Sequence, residues 1–154
     1  MRFVALVVTR RRAVRIPKSG IRLLGRLHRL VYRVSGGTLV GSVGPAGILL
    51  LSTTGRTSGR RRTAPLLYVR DGAAFVVVGS HGGHDTHPSW YLNLRVNPAA
   101  TIQVGRERLR VEAVELTGDV RDRCWERLVA AYGGYSEYRR RTARQFPIVA
   151  LTPT

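Results

Sequence analysis

The chain has 154 residues, enough for one domain with a sizeable core, and 44% of them are hydrophobic, so its net charge of +17 is not that of a disordered polycation. Only Lys18 of the 26 basic residues is a lysine, which excludes a GxxxxGK[ST] phosphate loop and leaves no plausible Schiff-base lysine. The single cysteine, Cys124, excludes an internal disulfide, a CxxC pair and a cysteine-ligated cluster, and it suits a reducing, cytoplasmic setting.

The charge is uneven. Residues 1–70 carry 15 basic residues and no acid, the first carboxylate being Asp71, whereas residues 71–154 carry 11 basic and 9 acidic residues. The excess in the first half calls for an anionic partner there: lipid headgroups, nucleic acid or a small polyanion. No segment reaches the ~20 apolar residues of a membrane span. The Phe3–Val8 apolar run is short and precedes its arginines, the reverse of a secretory signal.

Residues 1–20 read as a basic leader. Ile21–Val34 has helical periodicity, with Leu23, Leu24, Leu27, Leu30, Val31 and Val34 on one stripe and Arg22, Arg26, Arg29 and Arg33 on another, ending at Gly36-Gly37. Such a helix either packs on the domain with its arginines in water or lies on an anionic membrane. From Gly44 onward short strands are expected: Ile48–Thr54, Thr63–Arg70 and, across the Asp71-Gly72 turn, Ala74–Ser80. Ser89–Val96 reads as a helix stopped by Asn97-Pro98, and Thr101–Val104 with Arg108–Leu116 as a hairpin across Gly105. Asp119–Tyr132 is expected to be helical with Val120, Cys124, Trp125, Leu128 and Ala131 on its buried side. Ser136–Arg144 reads as a short helix and Phe146–Leu151 as a last strand. Short, mostly antiparallel strands with a few helices predict a small α+β barrel, with residues 1–35 as an appended leader and helix and 36–154 as the barrel domain.

Gly55-Arg56-Thr57-Ser58-Gly59-Arg60-Arg61-Arg62-Thr63 is the densest signal for chemistry. A turn rich in backbone N–H groups, hydroxyls and guanidinium forks offers the donors that a phosphate or carboxylate needs, although a solvated hairpin loop has the same composition. His81-Gly82-Gly83-His84-Asp85-Thr86-His87 puts three histidines within seven residues, but the glycines break any regular ligand spacing, so no metal site is expected. The glycines instead suit a loop running close along a ligand, with Pro88-Ser89-Trp90-Tyr91 as an aromatic wall. Tyr132, Tyr135 and Tyr138 either cap the core or line a pocket for a flat, partly polar substrate. Cys124 reads as a small buried hydrophobe.

The run Leu49-Leu50-Leu51-Ser52-Thr53-Thr54-Gly55-Arg56, then Pro65-Leu66-Leu67-Tyr68, Gly79-Ser80, Gly82-Gly83, Pro88-Ser89-Trp90-Tyr91-Leu92-Asn93-Leu94, Asn97-Pro98 and Pro147-Ile148-Val149 resembles the actinobacterial deazaflavin-dependent nitroreductase family over about residues 44–153. That resemblance implies a flavin-reductase-like split β-barrel binding coenzyme F420, whose phosphodiester and glutamate tail would meet the arginine-rich loop. It implies cofactor contacts at Gly55, Arg56, Thr57, Ser58, Arg60, Arg61, Arg62, Thr63, Ala64 and Pro65, at Val78, Gly79, Ser80, His81 and Gly82, and at Ser89, Trp90, Tyr91, Leu92 and Asn93. Around the substrate it places Ser80, Tyr132, Tyr135 and Tyr138. Thr57 stands where the family usually has a lysine, and Arg61 where it often has a proline.

The expected activity is hydride transfer from reduced F420 to a quinone, nitroaromatic or conjugated enone, with Tyr135 as the first choice of proton donor. The expected setting is cytoplasmic, with residues 1–35 against the inner face of the membrane. Two rivals are a nucleic-acid-binding module, suggested by the charge but lacking aromatics among the arginines, and a flavin mononucleotide enzyme on the same barrel.

Overall fold

A computed structural model describes residues 42–43 and 46–154; the expected leader and helix within 1–35 lie outside the described residues. In chain order the elements are β1 (Ser42–Val43), β2 (Ala46–Thr54), β3 (Arg61–Asp71), β4 (Ala74–Val78), a tight helical turn at His81–Gly83, α1 (Ser89–Val96), β5 (Ala99–Val104), β6 (Glu107–Glu115), α2 (Gly118–Ala131), α3 (Gly134–Arg139) and β7 (Ile148–Pro153). Six strands pair in the order β2-β3-β4-β7-β6-β5, and β5 returns to β2 through Leu50–Gln103, Leu51–Ile102 and Ser52–Thr101. Every pairing is antiparallel, so the sheet closes into the expected α+β barrel.

The period-two alternation of each strand divides the packing in two. Leu49, Leu51, Phe75, Val77, Ile102, Val111, Val149 and Leu151 fill the barrel, joined by Trp90, Tyr91 and Leu94 of α1. Val69, Val76, Val78 and Ile148 face outward and are covered by Cys124 and Leu128 of α2, Tyr135 of α3 and Phe146. Strand β4 is thus buried on both faces, which is why it reads as the unbroken run Ala-Phe-Val-Val-Val rather than alternating. Complete burial of each such Leu or Val contributes about 1.5–3 kcal/mol.

Strand β3 outruns its neighbour. Its ladder with β4 stops at Tyr68–Val77, whereas its ladder with β2 continues to Arg61–Thr54. The barrel is therefore split along the Arg61–Leu67 edge of β3. The connections 55–60, 79–98 and 116–147 all leave from the end of the barrel where Thr54, Arg61, Val78, Ala99, Glu115 and Ile148 lie, while the turns at Gly72 and Gly105 lie at the other end. The arginine loop, the histidine–glycine loop and the tyrosine segment therefore all open on one rim.

Several features differ from expectation. The helix expected at Ser136–Arg144 runs Gly134–Arg139; its last α-type bond is from Arg140 N–H to the Ser136 carbonyl, after which Arg141 N–H closes a three-residue turn onto the Tyr138 carbonyl at 3.1 Å. Val120 is exposed, whereas Cys124 and Leu128, further along α2, are buried. Strand β4 ends at Val78, and Gly79 N–H instead donates to the carbonyl of Pro147 at 2.8 Å.

Candidate active site

The arginine loop is built on a tight backbone frame. Gly55 N–H donates to the Arg60 carbonyl at 2.8 Å and Gly59 N–H to the Gly55 carbonyl at 2.7 Å, and a Cβ on Gly55 would lie 2.7 Å from Ser58 Oγ. Asn93, only 3% exposed, ties this loop to α1: its Oδ1 accepts from Arg56 N–H at 3.1 Å and from the Arg56 guanidinium at 3.3 Å, while its amide donates to Thr53 Oγ1 at 3.0 Å. Arg62 donates to Ser58 Oγ at 3.5 Å. On the adjoining strand face, Arg61 donates to Ser52 Oγ at 3.1 Å, and Ser52 and Thr63 share a hydroxyl hydrogen bond of 2.9 Å.

Arg56, Arg60, Arg61 and Arg62 are exposed, and none takes part in an ion pair among the described residues; those pairs are Arg121–Asp122, Arg127–Asp71 and Arg140–Glu137. Four uncompensated guanidiniums beside loop amides and hydroxyls fit a phosphodiester and a carboxylate tail. This donor set matches the F420 tail expected from the sequence.

The second half of the rim is formed by residues 79–88 and α3. A Cβ on Gly83, whose φ is +78°, would lie 2.7 Å from the Tyr138 carbonyl, so the glycine permits the turn and α3 to touch. Arg144 holds this loop from behind. Its guanidinium donates to the carbonyls of Gly79 at 3.1 Å, Ser80 at 2.9 Å and His84 at 3.1 Å, and to His87 Nδ1 at 3.1 Å. Burial, and then the Arg144 charge, hold the His87 imidazolium below its usual range, consistent with a neutral ring accepting that bond. His81 Nδ1 lies 2.8 Å from the Thr86 carbonyl, so the histidines brace their own loop. No metal-binding cluster of His, Cys, Asp or Glu occurs among the described residues.

The three tyrosines do come together. The Tyr132 and Tyr138 hydroxyls are 3.1 Å apart, and Tyr135 packs edge-on against Tyr132 with ring centres 5.1 Å apart. Tyr135, the residue placed foremost by the sequence, is 6% exposed and stacked near Trp125, whereas Tyr132 is 36% exposed. Burial raises the Tyr135 phenol well above its ordinary value. Burial, then the bond to Tyr132, pushes Tyr138 up to about 12, so at neutral pH it keeps its proton.

One expectation is corrected. Trp90 and Tyr91 are not an aromatic wall open to a ligand: both rings belong to the barrel interior, with the Tyr91 hydroxyl donating to Glu115 at 2.7 Å. Ser89 is exposed and Leu92 half-buried, so α1 offers the rim its first turn and Asn93 rather than its rings. Sequence reasoning also missed Arg144, whose partners are mainly backbone carbonyls and leave no residue pattern. It missed Thr101, Gln103 and Arg108 as well, which only the β2–β5 closure brings beside Ser52.

The family model for F420H(2)-dependent quinone reductase matches residues 24–153. An F420H(2)-dependent quinone reductase of Mycobacterium tuberculosis is 39% identical over 137 residues, covering 86% of this chain and 91% of that protein. The solved structure of an F420-H2 dependent reductase superposes with a TM-score of 0.63 at 39% identity, covering 68% of this chain and 92% of the other. A solved structure described as a domain-swapped dimer gives a TM-score of 0.65 at 35% identity, covering 82% and 93%. These matches favour neither the nucleic-acid-binding nor the flavin mononucleotide reading. With the split barrel and its uncompensated arginine loop, they show that the chain belongs to the F420H(2)-dependent quinone reductase family and is an F420-dependent oxidoreductase.

Proposed function

We propose that this protein reduces a quinone, or a related electron-poor acceptor such as a nitroaromatic or conjugated enone, at the rim where the arginine loop, the Ser80 turn and the tyrosines meet. The observation that carries the reading is the Tyr132–Tyr138 hydroxyl pair standing beside the loop that holds Ser80. F420, when bound, supplies the hydride. Arg56, Arg60, Arg61 and Arg62, with the Thr57 and Ser58 hydroxyls, hold its anionic tail. Gly55, Thr63, Ala64, Pro65, Val78, Gly79, His81 and Gly82 would line the split between β3 and the 79–88 loop and hold its ring system there.

The chain's own part in the reaction is to orient, to keep water out and to supply a proton. A quinone oxygen that gains negative charge needs a hydrogen-bond donor as that charge develops, and deleting one well-placed donor costs about 10²–10³ in rate. Tyr138, protonated at neutral pH and bonded to Tyr132, is the donor we assign, with Tyr132 as the group that shares and replenishes its proton. Tyr135 packs against both rings, and Ser80 would contact the bound cofactor.

Steady-state kinetics with a short-chain quinone test this assignment. Tyr138→Phe should lower kcat at least tenfold with little change in F420 affinity, and Tyr135→Phe should lower thermal stability more than kcat. A Tyr135→Phe variant that loses turnover while melting like wild type would return the donor role to Tyr135.

The leader belongs to the same proposal. Residues 1–35 contain ten basic residues and no acid, and a lipid-soluble quinone is met at a membrane. Basic residues near an anionic surface contribute about 1 kcal/mol each, screened by salt. The full chain should co-sediment with anionic liposomes at low salt and a chain beginning at Gly36 should not; equal behaviour of the two removes the leader from membrane binding.

A further inference from the structure

Strand register brings together, on the outer wall of the barrel, side chains far apart in sequence. Thr63 of β3, Ser52 of β2 and Thr101 of β5 form one cross-strand row; Leu50, Gln103 and Arg108 form the next. Between the rows is a cavity of about 250 Å³, lined by Leu50, Ile102, these polar residues and Arg61, with no acidic side chain among them. Ser52, at 7% exposure, forms its floor, held by Thr63 and Arg61. The Gln103 amide is held by the Gly105 carbonyl at 3.0 Å, which keeps the β5–β6 turn against this face.

Two guanidiniums therefore stand on opposite sides of a hydroxyl-lined hollow. Arg61 is fixed by a hydrogen bond to Ser52, so little side-chain freedom remains to be lost when an anion arrives. Carboxylates of a flexible acidic chain fit this lining: they take guanidinium forks and hydroxyl donors together and need no buried cation.

We infer that this hollow is a subsite for the distal glutamates of the F420 tail, with Arg108 as the residue that sets preference for tail length. The inference rests on the F420 reading. Arg61 belongs both to the end of the arginine loop and to the near wall of the hollow, so a tail leaving the loop enters it directly. From β3 to β6 there are three strand spacings of ~4.8 Å, about 14 Å, a distance that only several extended residues cover. A one-glutamate tail would stop near Arg61; a longer one would reach Arg108.

The test is fluorescence titration of the full chain with three ligands: the deazaflavin lacking phosphodiester and glutamates, F420 with one glutamate, and F420 with four or more. Wild type should bind the long-tailed form most tightly. Arg108→Ala should weaken that form about threefold to tenfold, leave the other two unchanged, and be rescued in part by Arg108→Lys. Arg108 is an exposed strand residue, and the unchanged ligands serve as the folding control. Equal weakening of all three ligands would reduce Arg108 to a general field effect and overturn the subsite, as would unchanged affinity for the long tail. Loss of binding to anionic liposomes or duplex DNA on Arg108→Ala, with F420 affinity unaltered, would assign the hollow to phosphates of those partners instead. Failure of wild type to bind any of the three would overturn the cofactor reading itself, whereas a loss of tail-length preference alone leaves that reading standing.

Discussion

Asn93 satisfies three groups at once: the Thr53 hydroxyl, the Arg56 amide and the Arg56 guanidinium. Asn93→Ala would leave buried polar partners unmade, at about 1–3 kcal/mol, and would free the arginine loop from α1. We expect a lower melting temperature and weaker F420 binding together; unchanged binding would mean the loop needs no anchor. Arg144 does the same for the Ser80 loop, and here the fork shape matters. A lysine is a point donor and cannot reach three carbonyls and an imidazole in fixed directions. Arg144→Lys should therefore raise amide exchange across residues 79–87 while α2 stays protected, and exchange equal to wild type would show that the carbonyl contacts do not hold the loop. Neither role could be read from the sequence. Arginine bound to carbonyls carries no motif, and Asn93 stood out only through family resemblance, with no hint that it contacts Thr53 and Arg56.

Elements with punctuation were legible. Helix α1 begins after Pro88 and ends before Asn97-Pro98, and the β3–β4 hairpin turns at Asp71-Gly72, where Gly72 has φ +56°. Helix α3 begins and ends earlier than its sequence suggests, because Gly133 caps it and Gly134 opens it rather than breaking the chain there. Cross-barrel pairing left no local trace: nothing in Leu50-Leu51-Ser52 announces Gln103-Ile102-Thr101 as neighbours, so the outer hollow was invisible until the barrel closed. The interior is where β2 can be tested. Leu51→Ala at a fully buried position should cost about 2–5 kcal/mol in a denaturation experiment, and a cost under ~1 kcal/mol would show that Leu51 is not the packing element it forms here.

At the scale of the molecule, one barrel end gathers the arginine loop, the Ser80 turn and the tyrosines, the three groups that the proposed reaction would use together. That rim carries a pH dependence. His87 has its folded pKa lowered by burial and by Arg144, with Glu115 opposing and Arg95 adding to the effect. A lowered folded pKa means the unfolded chain binds more protons, so this contribution to stability is complete above the unfolded value of about 6.5 and is lost as pH falls below it. Melting temperature should drop from pH 7 to pH 5, and His87→Gln, which can still accept from Arg144, should flatten that drop; an identical profile would remove His87 as its source. The electrostatic asymmetry noted in the sequence also belongs to this scale. The arginine loop is exposed without acidic partners among the described residues, as a receptor for the proposed anionic tail would need to be.

Whether this loop receives the F420 tail is decided by titrating F420 into wild type and into the Arg56→Ala, Arg62→Ala double variant at two salt concentrations. Charge-assisted contacts contribute about 1.5–3 kcal/mol each when shielded and less when exposed. Binding should be at least tenfold weaker in the double variant, with a flatter salt dependence; equal affinity and an unchanged salt slope would show that the loop does not hold the tail.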